Sequence, residues 1–332
     1  MQYRSVKGFS GWGQLGILCA FSGLGFILAA VAQLGIVMQL MPSGLPPDKM
    51  ADDMLKVLMK PENTGYARLL QVLSTFFLFF VPAILYLLVC HGKNKFWLGF
   101  NKRINIWQIL IGFVLIFIAN IIAEPLAEIS KNMLAHAPHL NAMAQRMEDT
   151  YSDQVAAISN LKSWSEFFMA LVIMAFFPAM FEEIFFRGAL QNLLVRWWKV
   201  PLASIIVTSV LFSLIHMSIY LFLSRVVLGF VLGFMYQRCK NIWVNIMAHF
   251  LNNTVVLVQL FWMSRHSDKI EPDKLDLGVS WWVGLIALAF TIVFFLLFEM
   301  VSRKNRKVVE LEEMQLYEKA YPFHSFTGTK NE

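Results

Sequence analysis

Phe176-Phe177-Pro178-Ala179-Met180-Phe181-Glu182-Glu183-Ile184-Phe185-Phe186-Arg187-Gly188 is the stretch on which the reading of this chain turns. Two adjacent acids and an arginine stand inside a run apolar enough to cross a membrane. A charge near the bilayer centre costs about 2.5–3.5 kcal/mol on insertion scales, so such residues face a protein interior and serve a purpose there. On a helix, Glu183 and Arg187 are at i and i+4 and pair on one face. Glu182 lies about 100° around the helix and points elsewhere. One acid can then be held ionised by Arg187 while the other faces a cavity and acts as a general base. Pro178 has no amide to donate to the carbonyl of Met174, and a kink is expected there. The same residues also suit a purely structural Glu–Arg pair that locks two helices.

Outward from this stretch, the whole chain reads as membrane protein. It has 332 residues, 58% hydrophobic and only 15% charged, against about 25% charged in soluble domains. Eight stretches have the apolar length of a spanning helix: 13–40, 67–90, 107–123, 165–195, 202–219, 222–238, 242–262 and 280–302. The expected fold is an all-α polytopic bundle with an intramembrane polar cavity. It forms a single membrane domain over 1–332, followed from about 303 by a cytosolic tail, helical with a frayed end.

The net charge of +6 reflects loop residues, not a nucleic-acid surface. Arg4 and Lys7, then Lys93, Lys95, Lys102 and Arg103, then Arg196 and Lys199, Arg238 and Lys240, and Arg303 to Lys307 fall in one alternating set of connections. The other set, 41–66, 124–164 and 263–279, is longer and carries acids such as Asp52, Asp53, Glu148, Asp149, Asp268 and Glu271. By the positive-inside rule both termini are cytosolic. The first apolar run reaches Leu40, too long for a signal peptide, so it reads as a retained span in spite of Ala30-Val31-Ala32. Cys19, Cys90 and Cys239 have no metal or disulfide spacing and read as reduced packing residues. Segment 124–164 reads as an amphipathic surface element. Pro138 between His136 and His139 argues against a regular helix or a metal site there.

Two later spans carry polar ridges. Ser209, Ser213, His216 and Tyr220 step by four, three and four; Asn245, His249 and Asn253 are one turn apart. Either ridge alone would serve as interhelical hydrogen bonding. Glu182 and His216 each lie about 21 Å, and His249 about 13 Å, along their helices from the basic loops, so the three can meet inside the membrane, nearer the cytosolic half if the helices tilt. Gly229 and Gly233 form a small-xxx-small pair for close helix packing.

Glu182-Glu183-x-x-x-Arg187, Phe212-x-x-x-His216 and His249-x-x-x-Asn253, in this order on three spans, resemble the three motifs of the CAAX protease and bacteriocin-processing family of intramembrane endopeptidases. Pro178, Phe186-Arg187-Gly188 and the Gly229/Gly233 pair resemble that family too, and the likeness covers about 165–260. It implies an eight-span protease with a cavity open toward the cytosol. Its substrate would be a membrane-associated or C-terminal peptide, from CAAX processing, bacteriocin maturation or another membrane protein. By the resemblance Glu182 with His216 activates the attacking water, His249 and Asn253 stabilise the oxyanion, and Glu183 and Arg187 support the site. There is no His-Glu-x-x-His zinc motif. An unaided Glu/His site is the expected form; a divalent metal such as zinc, if used, would take Glu182, His216 and His249. The other readings of the same residues are a non-catalytic immunity or adaptor protein on this fold and, behind it, a transporter. The implied partners are a peptide or membrane-protein substrate and the bilayer.

Overall fold

The computed structural model describes residues 3–41, 54, 56–159, 161–266 and 278–322. Asp52, Asp53, Asp268, Glu271 and the end of the tail lie outside the described residues. The described residues form no strand and nine principal helices: α1 (Gly11–Leu40), α2 (Pro61–Cys90), α3 (Ile106–Ala135), α4 (Pro138–Ile158), α5 (Trp164–Trp198), α6 (Pro201–Ile215), α7 (Phe222–Cys239), α8 (Ile242–His266) and α9 (Trp281–Ala320). This is an all-α polytopic membrane protein.

Apolar helices stand at all eight expected places, and six of them are long and apolar enough to cross a membrane. The exceptions are α6 and α7. α6, with 15 residues, rises about 22 Å, short of a hydrocarbon core of about 30 Å; α7, with 18 residues, carries Arg225 and Arg238 near its two ends and is the less apolar of the two. The turn that joins them is recessed beneath α4, where Ser218 Oγ donates to Glu148 and the Tyr220 hydroxyl to Asn141 Oδ1. Tyr220 sits in that turn and not on α6, so the polar stripe predicted to end there is broken: α6 stops at Ile215, with His216 as its C-cap.

Segment 124–164 also differs from expectation. α3 runs on to Ala135 with Pro125 inside it, and Pro138 starts α4. A proline suits the first turn of a helix, where its missing amide has no helical partner anyway. His136 and His139 consequently fall on either side of a helix break.

Proline is accommodated differently in α2 and α5. Five-residue and six-residue π-helical stretches, Phe76–Phe80 and Leu171–Phe176, lie just before Pro82 and Pro178. Widening the turn relieves the clash of the ring with the preceding carbonyl, and such turns often mark functional positions. A third π-helical stretch, Ile184–Gln191, follows the two acids.

The connections alternate as the charge pattern requires. At one end the backbone amide of Lys7 bonds the carbonyl of Cys90, and the amide of Ile242 bonds that of Gly99. There, too, Arg196 pairs with Glu313 at 2.8 Å and the hydroxyl of Tyr321 donates to the carbonyl of Ser5. This basic end joins the N-terminal segment, the 91–105 and 199–200 loops, and the polar extension of α9. At the opposite end Arg68 Nε donates to the carbonyl of Ile158 (2.9 Å), Ser264 Oγ to that of Leu161 (2.5 Å) and Ser218 Oγ to Glu148 (2.7 Å). Between the ends lie two large apolar clusters, the first of which includes α5. One gathers Leu18, Phe79, Leu87, Phe186 and Leu193; the other gathers Leu115, Ile116, Leu232, Met235 and Phe298.

Candidate active site

Glu183 is fully buried and fully bonded. Its Oε1 accepts from Arg187 Nη1 at 2.7 Å and from His249 Nδ1 at 3.0 Å, and its Oε2 accepts from Asn245 Nδ2 at 3.1 Å. The i,i+4 pairing with Arg187 follows from helix geometry alone; the other two partners come from α8. Arg187 also donates from Nη2 to the carbonyl of Gly229 at 3.0 Å and lies 4.9 Å from the ring centre of Phe212. One turn on, Gln191 Nε2 donates to the carbonyl of Gly233 at 2.9 Å. The two glycines thus do more than let helices touch. A Cβ at Gly233 would stand 2.9 Å from Gln191 Oε1, and one at Gly229 would stand 3.1 Å from the Cα of Ser209. The bare Gly229 lets α6 pack close against α7, and the bare Gly233 leaves room for Gln191 of α5 at the α7 backbone.

Glu182 points the other way and lines a cavity of about 700 Å³. It is only 7% exposed, and its Oε2 has no hydrogen-bond partner. Two imidazoles converge on that oxygen: His216 Nε2 at 3.9 Å and His249 Nε2 at 3.9 Å. The opposite nitrogen of each ring fixes its tautomer. His216 Nδ1 lies 2.7 Å from the carbonyl of Phe212, which can only accept. His249 Nδ1 faces the Glu183 carboxylate, which also accepts from Arg187 and Asn245. Both Nδ1 atoms therefore carry hydrogen, and both Nε2 atoms are turned toward Glu182. Phe212 is the shared wall, with its ring centre 4.6 Å from that of His216 and 6.0 Å from that of His249.

The depth arithmetic left His249 about 8 Å short of the other two. The fold makes up the difference by starting α8 inside the protein. Ile242 is fully buried, and its amide bonds the Gly99 carbonyl of a loop folded under the bundle.

Asn253 also lines the cavity, with its amide 3.4 Å from the carbonyl of Ala175. Residues not singled out in the sequence join it. Asn252 lines the same cavity, and its Oδ1 accepts from Asn120 Nδ2 of α3 at 2.6 Å. Arg225 Nη1 donates to the carbonyl of His216 at 3.1 Å and clamps the recessed turn. Asn245 was visible as part of a ridge, but only packing reveals that it serves Glu183. Asn120 and Arg225 gave one signal, a polar residue inside or beside an apolar run.

The cavity does not open toward the basic end. It is walled by Gln33 of α1, Leu70 of α2, Glu124 of α3, Tyr151 of α4 and Leu260 of α8, all in the half of the molecule away from the basic loops. Helix lengths give the reason. α6 leaves the basic end at Pro201 and stops at Ile215, so its short reach puts His216 on the floor of a recess at the far side.

These features define a multi-pass membrane protein with a buried acid–histidine site. Residues 164–255 match the model of the Rce1-like family, described as type II CAAX prenyl endopeptidase Rce1-like. The chain is also similar to a protein of Bacillus subtilis (strain 168) described as "Putative membrane peptidase YdiL", 33% identical over 93 residues. That similarity spans 28% of this chain and 38% of the length of the relative. Both findings support the family likeness carried by the three motifs. No solved structure matches the chain significantly.

Two imidazole nitrogens and a carboxylate oxygen are donors of the kind zinc takes. Bonds of about 2.1 Å at a tetrahedral centre set donor atoms about 3.4 Å apart. Glu182 Oε2 is 3.9 Å from each imidazole nitrogen. Among the described residues, no group of three or more His, Cys, Asp or Glu converges to hold a metal ion. As placed, the residues do not fit such an ion, and the chemistry derived below uses this chain's own groups and water.

Proposed function

We propose that this protein is an intramembrane endopeptidase that hydrolyses a peptide bond with water activated by Glu182 and His216. The observation that carries this reading is the unpartnered Glu182 Oε2 facing two imidazole nitrogens inside a buried cavity. A carboxylate left unbonded in a protein interior is costly, so its retention points to use.

In the proposed reaction a water molecule that donates one hydrogen bond to His216 Nε2 gives its other proton to Glu182 as its oxygen attacks the substrate carbonyl. The carbonyl oxygen becomes an oxyanion. His249, held at Nδ1 by Glu183, is oriented to donate to it from Nε2 as an imidazolium. The amide of Asn253 donates as well, and Asn252, steadied by Asn120, adds a second amide. When the tetrahedral species collapses, the C–N bond breaks and Glu182 returns its proton to the departing amine nitrogen. Arg187 and Asn245 hold Glu183 in place and touch no reacting atom.

The test compares membranes of cells that express the wild-type chain or Glu182→Gln, with new protein termini mapped by mass spectrometry. The proposal expects termini that vanish in Glu182→Gln and a precursor that accumulates. An identical set of termini in both would overturn it.

A further inference from the structure

The helices that wall the cavity contribute from their middles and from their parts away from the basic end. α1 runs away from that end and gives Gln33 near its finish; α2 runs toward it and gives Ala67 and Leu70 near its start. α8 runs away again and contributes from His249 to Leu260. A second cavity of about 640 Å³ lies between α4 and the recessed turn. It shares Tyr151, Gln154 and His216 with the first, so the two meet at the imidazole. Met143 and Met217 line its outer part, and both are exposed. The approach to Glu182 thus runs from the α4 side, across His216, to the acid. The Lys and Arg residues of the short loops crowd the other end, and this asymmetry sets membrane orientation.

We infer that the site faces the non-cytosolic side of the membrane. Its substrate class is accordingly the outward-facing, membrane-proximal segment of a membrane-bound or exported protein, not a lipid-modified C-terminus presented in the cytosol. The inference rests on the peptidase reading above and adds the side from which the substrate comes. Two independent features support it: the placement of both cavities and the charge of the loops. The short α6 explains how a chain reaches the acid from that side, because the helix ends at Ile215 and leaves its C-cap His216 in the wall of the second cavity.

The experiment has two arms, both on the full chain in the cytoplasmic membrane of bacterial cells. In the first, single cysteines are placed in a Cys19→Ser background at the two ends. Met143→Cys is on exposed α4, and Lys93→Cys is at the exposed basic end; Cys90 and Cys239 are buried. Spheroplasts are treated with a membrane-impermeant maleimide before and after lysis. Labelling of Met143→Cys before lysis, and of Lys93→Cys only after it, supports the inference. The reverse pattern overturns it whatever the activity. In the second arm, termini lost in Glu182→Gln are mapped to their side of the membrane. Termini on outward-facing segments support the inference. Termini confined to cytosolic segments overturn it and leave the peptidase reading standing. No Glu182-dependent termini at all overturns the peptidase reading, and this inference with it.

Discussion

Glu182 and Glu183 are neighbours in sequence, yet replacing each with glutamine should produce opposite phenotypes. Glu183→Gln keeps the shape but removes the charge that balances buried Arg187. It also puts an amide N–H₂ where two donors now point: Arg187 Nη1 and His249 Nδ1 both reach Oε1, and Asn245 reaches Oε2. Removing one partner of a buried ion pair costs about 3–5 kcal/mol, because the remaining charge stays buried and uncompensated. Glu182→Gln removes no bond at Oε2, which has none, so stability should stay within about 1 kcal/mol of wild type. Its hydrolytic rate should fall on the order of 10²–10⁴-fold, the usual contribution of a general base. Reversible unfolding in detergent micelles measures the first quantity, and cleavage of a precursor identified by terminal mapping measures the second. Equal stability of the two variants would refute the division of roles, as would an active Glu182→Gln protein.

Three further outcomes follow from the geometry. Asn252→Ala should lower kcat about 10²-fold, in the range of one oxyanion donor, and Asn120→Ala should lower it less, by releasing Asn252; steady-state kinetics that show only a KM effect would remove both from the reaction. Gly25→Ala forces a methyl onto the backbone carbonyl of Phe77 and should cost about 1–3 kcal/mol as an overpacking change, while kcat per folded molecule stays unchanged because the contact is between α1 and α2. His91, in the loop after α2, has its pKa lowered to about 3, first by burial and then by Arg196. It is neutral in the fold and titrates near its ordinary value when unfolded, so its share of stability is complete above about pH 6.5 and is lost as pH falls toward 3; melting curves should show that loss, and His91→Gln should flatten it.

Much of the site could be read from the chain because helix geometry is local. Residues four apart share a face whatever the helix packs against, so the Glu183–Arg187 pair and the opposite aim of Glu182 follow from spacing. Apolar length marked the helices, and the alternation of basic loops agrees with the contacts at the two ends. Other parts were invisible for an equally physical reason. Glu183 meets His249 and Asn245 across 66 and 62 residues, and Asn120 meets Asn252 across 132. Periodicity states which face is polar but not which helix that face will meet.

By itself, then, the sequence determined a polytopic helical bundle with two acids, two histidines and an asparagine turned inward, since burying charge in an apolar run leaves no other arrangement. Packing decided the rest. It gave Glu183 three partners and left Glu182 bare, drew Gln191 onto the backbone at Gly233, and docked α4 over a turn that hydropathy had read as the rim of a full span. It also set the side on which the cavity lies. That side depends on where α6 stops relative to its neighbours, a comparison of helix lengths in space that no single run of residues contains.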